Sequence, residues 1–134
     1  MTAPNVDLYL PKTYVFKRGA ASYATRAPMS RIDGAGMQFA YLPKGLSVVT
    51  VVATGMTSAN LELTMGQGGA ETSLASVSNV SGATVRLWAG QLSAAGVGMY
   101  DGGIYLRIYA ERVTTDVMNN GSVSVQVTNF PPES

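Results

Sequence analysis

The sequence predicts an all-β fold: an antiparallel β-sandwich of the jelly-roll type with an extended N-terminal arm. Hydrophobic and polar residues alternate over several short runs, which is the period of a half-buried strand. Turn-forming residues recur about every 8–12 residues, a spacing typical of sandwiches and barrels. No long run in the body carries a helical stripe of apolar residues.

The clearest strands lie between Gly103 and Phe130. The first alternates apolar residues with Tyr105, Arg107 and Tyr109, and the second alternates valines with Ser, Gln and Thr. Asn119-Asn120-Gly121 stands between them, and Asn and Gly tolerate the positive φ that hairpin turns require. The sequence therefore predicts a β-hairpin that forms one wall of the core.

Further strands are expected before this hairpin. Leu46–Thr54 is rich in Val on both faces, which indicates a central strand covered on both sides. Shorter strands are predicted over residues 37–41, 61–65, 74–80 and 83–88, with turns at 43–45, Gly55, 66–69 and Ser81-Gly82. The expected core consists of Val49, Val51, Leu61, Leu63, Val85, Leu87, Ile104, Leu106, Ile108, Val123, Val125 and Val127.

Charge divides the chain into an arm, residues 1–32, and a body, residues 33–134. The arm holds five basic residues and one acidic residue, a net charge of +4, whereas the body has a net charge of −3. The arm has little periodicity, so we expect it to be weakly structured alone and to become ordered on a partner. Charged residues are only 13% of the chain, against about a quarter in typical domains, which favours a surface covered by other chains.

Two sets of residues are candidates for partner binding. In the arm, aromatic and apolar anchors flanked by basic residues are expected to enter a groove on another subunit: Lys12, Tyr14, Val15, Phe16, Lys17 and Arg18. On the hairpin, Tyr105 and Tyr109 flank Arg107 on one strand face. Tyr and Arg are enriched in protein interfaces, although the same set can also stack on sugars or bases.

The composition argues against an enzyme. The chain has no Cys and no His, which excludes thiolate nucleophiles, histidine bases and zinc sites of the Cys/His type. Asp101 with Glu111 or Asp116 is the one carboxylate pair in a loop-rich region, and turn formation explains both aspartates. We expect no cofactor and no metal. The sparse basic residues argue against nucleic acid, and no apolar stretch is long enough to span a bilayer, so no membrane partner is expected.

Taken over the whole chain, the basic arm from Met1 to Arg31, the Val-rich body from Met37 and the terminal hairpin resemble the decoration (cement) proteins of tailed-bacteriophage capsids. The resemblance implies a compact, non-enzymatic β-domain, often a trimer, on the capsid surface. Its partner would be the major capsid protein, which the arm would contact. It also implies synthesis in the host cytoplasm and a final location in the virion.

Two other functions are consistent with the same residues. One is a different virion component, such as a tail or fibre protein. The other is a carbohydrate-binding β-sandwich that uses Tyr105, Trp88 or Tyr109 as a sugar platform. A sugar-binding module has no need of residues 1–32, so the arm favours the virion hypotheses.

Overall fold

The computed structural model describes residues 12–17, 27–32, 37–42, 45–67, 70–94, 104–111 and 121–130. These residues form eight β-strands: β1 (Lys12–Lys17), β2 (Ala27–Pro28), β3 (Ser30–Arg31), β4 (Ala40–Leu42), β5 (Gly45–Gln67), β6 (Ala70–Ala94), β7 (Ile104–Glu111) and β8 (Ser122–Phe130). Every pairing between them is antiparallel. The predicted all-β, antiparallel class is confirmed.

The two longest strands, β5 and β6, form a hairpin that runs the length of the sheet. One edge of β5 pairs with β6, from Gly45 opposite Ala94 to Gln67 opposite Ala70. The other edge pairs with β8 over residues 46–54 and with β7 over residues 60–66. β5 therefore joins the two halves of the fold.

The sheet nearly closes into a barrel through residues 27–31. β1 pairs with β8 and β3 pairs with β1, whereas β2 and β4 both pair with β7. Between β2 and β3, the Met29 N–H donates a hydrogen bond to the Ile108 carbonyl at 2.8 Å. These few residues thus connect the β7 side of the sheet to the β1 side.

The turns predicted at Gly55 and near Gly82 are bends within continuous strands. Gly55, Gly82 and Asn79 have φ values of 68°, 134° and 56°, and the β5–β6 register shifts between Met56 and Leu61. The Asn60 side-chain oxygen accepts a hydrogen bond from the Asn79 N–H at 3.0 Å. Because both strands bend at the same level, the ladder continues across the break. The strands predicted over residues 46–54 and 61–65 are one strand, β5, and those predicted over 74–80 and 83–88 are one strand, β6.

The two strands of the predicted C-terminal hairpin are confirmed, but their pairing with each other is wrong. β7 and β8 lie one after the other along the same edge of β5. β5 is long enough to pair with both, so each strand finds a partner far away in sequence. The predicted Asn119-Asn120 turn lies outside the described residues, whereas Gly121 is described and buried.

Ten of the twelve expected core residues are buried: Val49, Val51, Leu61, Leu63, Ile104, Leu106, Ile108, Val123, Val125 and Val127. The exceptions, Val85 and Leu87, are half-buried because β6 is an edge strand of the described sheet. The expectation that both faces of Leu46–Thr54 are covered is also corrected. Val48 is 38% exposed, so only the inner face of this segment lies in the core.

The expected arm includes residues that belong to the sheet. β1 pairs with β8 from Lys12 opposite Val127 to Phe16 opposite Val123, and Phe16 is fully buried in the core of its own chain. The apolar run around Phe16 has the composition of a strand, and β8 offers it an edge. The described parts of residues 1–32 are therefore not separate from the body. Residues 1–11 and 18–26 lie outside the described residues.

Candidate functional site

The outer face of β7 carries three of the residues predicted to bind a partner. Tyr105, Arg107 and Tyr109 are half-buried and alternate with fully buried residues. Alternation places all three on the face that points away from the core. β5 pairs with one edge of β7, and β2 and β4 pair with the other, so the strand that presents them is held on both sides.

Two further aromatic rings pack on this face. The Phe39 ring meets the Tyr105 ring edge-on, with centroids 5.1 Å apart and planes at 81°, and the Tyr41 ring lies 5.3 Å from the Tyr105 ring. The Arg107 guanidinium carbon lies 5.8 Å from the Phe39 centroid and 5.9 Å from the Tyr105 centroid. We call Phe39, Tyr41, Tyr105 and Arg107 the aromatic cluster. Edge-to-face and cation–π contacts restrain these side chains before any partner arrives.

Arg31 lies between β1 and the segment that leads into β4. Its guanidinium carbon lies 4.5 Å from the centroid of the Tyr14 ring, and its Nη1 donates to the Met37 sulfur at 3.2 Å and to the Phe39 carbonyl at 3.4 Å. Beside it, Ile32 is 62% exposed and Met37 is 41% exposed. Two exposed apolar side chains therefore lie in the segments that adjoin Arg31 and Phe39, a feature suited to a protein partner.

A small polar cavity lies further along the same face. Cross-strand pairing sets Glu62 opposite Tyr109 and Asn60 opposite Glu111. The cavity has a volume of about 100 Å³, below the roughly 300–1,000 Å³ of typical small-molecule sites. It is lined by Asn60, Leu61, Glu62, Ser76, Tyr109, Ala110 and Glu111. Its carboxylates, amide and phenol could hydrogen-bond one sugar ring edge or one side chain of a partner.

The candidate residues of the expected arm are placed on β1, apart from Arg18, which lies outside the described residues. Phe16 cannot serve as an anchor for another subunit while it is buried in its own core. Lys12 is exposed, whereas Tyr14, Val15 and Lys17 are half-buried. For these four residues partner binding stays a prediction.

The structure does not bring Trp88 together with the tyrosines of β7. Trp88 lies opposite the buried Val51 and packs partly against the core, whereas Tyr105 points outward. The Trp88 ring also covers Gly90, where an added Cβ would stand 2.8 Å from two ring carbons. Trp88 and Tyr105 therefore lie on opposite faces of the sheet, whereas sugar binding by Tyr105, Trp88 or Tyr109 alone stays a prediction.

Sequence reasoning missed the partners that complete this surface. Phe39 and Tyr41 were recognised as strand residues, but their contact with Tyr105 depends on the pairing of β4 with β7. Glu62 and Glu111 line the same cavity because β5 pairs with β7, whereas the sequence predicts β8 as the neighbour of β7. Asp101 and Asp116 lie outside the described residues.

Comparisons with known proteins find no matching family, curated protein or solved structure. Within the part of the chain that the structure describes, no three or more His, Cys, Asp or Glu residues are grouped so that they could hold a metal ion. The same residues include no helix with the length and hydropathy that a membrane crossing requires.

Proposed function

We propose that this protein is a non-enzymatic structural component of a virion, of the kind that decorates tailed-bacteriophage capsids, and that it binds the major capsid protein lattice through the aromatic cluster. The jelly-roll-like sandwich and the N-terminal extension of such proteins are part of this proposal. A location on the capsid surface is also part of it. A tail or fibre component is the nearest alternative within the same class.

The observation that carries the proposal is the restrained aromatic cluster on an outer sheet face. Aromatic residues and Arg dominate the binding energy of protein interfaces, whereas Lys and Glu are depleted there. Tyr105 and Arg107 stand at the centre of such a set, with Phe39 and Tyr41 packed around them. The low charge of the whole chain, 13%, is consistent with a surface that other chains cover.

The proposal is tested by adding the purified protein to capsids assembled from the major capsid protein of the phage that it would decorate. We expect saturable binding at a fixed stoichiometry, measured by co-sedimentation and by occupancy in electron micrographs. Tyr105→Ala should weaken binding about 30-fold or more, since a central interface residue contributes about 2 kcal/mol or more. Arg107→Gln should weaken it as well.

Gln126→Glu is the matched control for Arg107→Gln. Gln126 is exposed on β8, and its substitution changes the net charge by the same one unit in the same direction. Binding lost in Arg107→Gln and kept in Gln126→Glu supports contact through the aromatic cluster. Equal binding by the wild type, Tyr105→Ala and Arg107→Gln would show that this face does not contact the lattice, and no binding by the wild type would contradict the capsid proposal.

Carbohydrate binding is a second candidate because the polar cavity adjoins Tyr109. A half-buried Tyr beside two carboxylates and an amide offers a ring for stacking and acceptors for sugar hydroxyls. A glycan array with the wild-type protein tests this function. Binding that Tyr109→Ala abolishes and Tyr105→Ala leaves intact would favour the sugar site over the protein interface.

A further inference from the structure

Among the described residues, the outer edge of β6 is a long sheet edge without a partner strand. β6 pairs with β5 along its whole length, and no other strand among the described residues pairs with it. In contrast, β7 and β8 have partners on both edges. An open edge presents a row of backbone N–H and C=O groups that can pair with a strand of another chain.

β6 carries few of the devices that protect natural sheet edges. It contains no Lys and no Pro, and only two of its residues, Glu71 and Arg86, are charged. Register shifts at Leu63/Thr64 and Val51/Val52 each insert one extra residue in β6, which twists the strand locally. A strand this long and this neutral is a template for strand addition.

We propose that β6 pairs antiparallel with β6 of a second copy of this chain, around a twofold axis between Ser78 and Asn79. Glu71 lies seven residues before Ser78, and Arg86 lies seven residues after Asn79. In this register each Glu71 is opposite Arg86 of the other copy, so the two charged residues of β6 form two complementary pairs.

Both charged side chains lie on the same side of the sheet, as this pairing requires. Glu71 is opposite Gly66, which is in turn opposite the outward-facing Tyr105. Arg86 is opposite Val52, which alternates with buried neighbours and therefore faces outward. Directly opposite residues of an antiparallel pair share a face, so Glu71 and Arg86 lie on one face across the axis, where the Glu71 carboxylate would take Arg86 as a partner in addition to Thr64.

The bend of β6 is compatible with this axis. The positive φ values at Asn79 and Gly82 place the bend beside the proposed twofold. A twofold axis along the sheet normal maps a strand that bends out of the plane of the sheet onto one that bends to the same side. Two edges of that kind can pair over residues 70–87, on both sides of the bend.

The register fixes the number of copies. An antiparallel contact between identical edges uses the same surface on both copies and closes at two. A threefold assembly would need β6 to pair with a different edge, so this inference and a trimer built through β6 are mutually exclusive. The inference stands independently of the proposed function.

The experiment is a charge-swap cycle on the full chain, read by sedimentation equilibrium. The wild type should be a dimer that dissociates on dilution. Glu71→Arg and Arg86→Glu should each raise the dimer dissociation constant about tenfold, because each places two like-charge pairs across the axis. The double variant, which restores opposite charges, should return the dissociation constant to within about threefold of the wild-type value.

Lys12→Glu is the matched control for Arg86→Glu, since it makes the same charge change on an exposed residue of β1. Circular dichroism confirms that each variant is folded. Substitution of Glu71 also removes the hydrogen bond that its carboxylate accepts from Thr64 at 2.5 Å. Amide hydrogen exchange of the wild-type protein therefore provides a second measurement that needs no substitution. Exchange along β6 should slow when the protein concentration rises through the dissociation constant.

A monomer at all concentrations or a trimer would overturn the inference. So would a dimer whose dissociation constant responds to Lys12→Glu as strongly as to Arg86→Glu, or whose β6 amides exchange at a rate independent of concentration. Arg107→Gln should leave the dimer intact, which separates this test from that of the aromatic cluster.

Discussion

Replacing Phe16 by Ala tests whether β1 is an integral strand of the fold. The side chain is fully buried among the core residues, opposite Val123 on β8. Truncation of a buried Phe costs about 3–5 kcal/mol through lost burial and the cavity that remains. Domains are stable by only about 5–15 kcal/mol, so this variant should lose a large part of its stability. If residues 12–17 instead formed an arm that binds another subunit, Phe16→Ala would not lower the stability of the isolated chain.

Urea unfolding followed by circular dichroism measures this difference. With a slope of about 2 kcal/mol per molar urea, the midpoint should fall by about 1.5–2.5 M. Thr13→Ala is the control, because Thr13 is exposed on the same strand and its truncation should change stability by about 0.5 kcal/mol or less. An unchanged midpoint for Phe16→Ala would refute the placement of β1 in the core.

Three further substitutions probe the packing of the sheet. Gly90→Ala should push the Trp88 ring towards solvent and shift the emission of this single tryptophan to longer wavelength; unchanged emission would contradict their close approach. Gly82→Ala should cost about 1–3 kcal/mol in unfolding free energy, because φ is 134° there; thermal unfolding at wild-type temperature would show that the bend tolerates a side chain. Ser47→Ala removes the acceptor, 3.0 Å away, of a hydrogen bond from Asn129, and urea unfolding should show a loss of about 0.5–1.5 kcal/mol rather than a gain.

Period-two alternation was enough to identify strands and their buried faces, but it carried no information on strand partners. Ile104 and Val123 were correctly assigned to the core because each alternates with polar neighbours. The pairing of β7 and β8 with β5 instead depends on the length of β5. Gly55 and Gly82 are chemically suited to a turn and to a bend alike, and only their juxtaposition across the ladder distinguishes the two.

In the candidate site, too, alternation along one strand was informative, whereas the pairing between strands was not predictable. Tyr105, Arg107 and Tyr109 were found because they share one strand and one face. Phe39 is far away in sequence, and its ring reaches Tyr105 only once β4 pairs with β7. Residues brought together by one strand were predictable, whereas those brought together by pairing between distant strands were not.

The position of β5 between β6, β7 and β8 has a consequence for synthesis on the ribosome. The β5–β6 hairpin involves residues 45–94 alone, so it can form before β7 and β8 leave the exit tunnel. Until then, the edge of β5 that later pairs with β7 and β8 is open. β1 leaves the tunnel first, but it cannot pair until its partner β8 has emerged. Closure of the sheet therefore waits until β8 has left the exit tunnel, and such distant strand pairings form slowly, in about milliseconds to seconds. During that interval the edge of β5 that β7 and β8 later cover is exposed, in addition to the outer edge of β6.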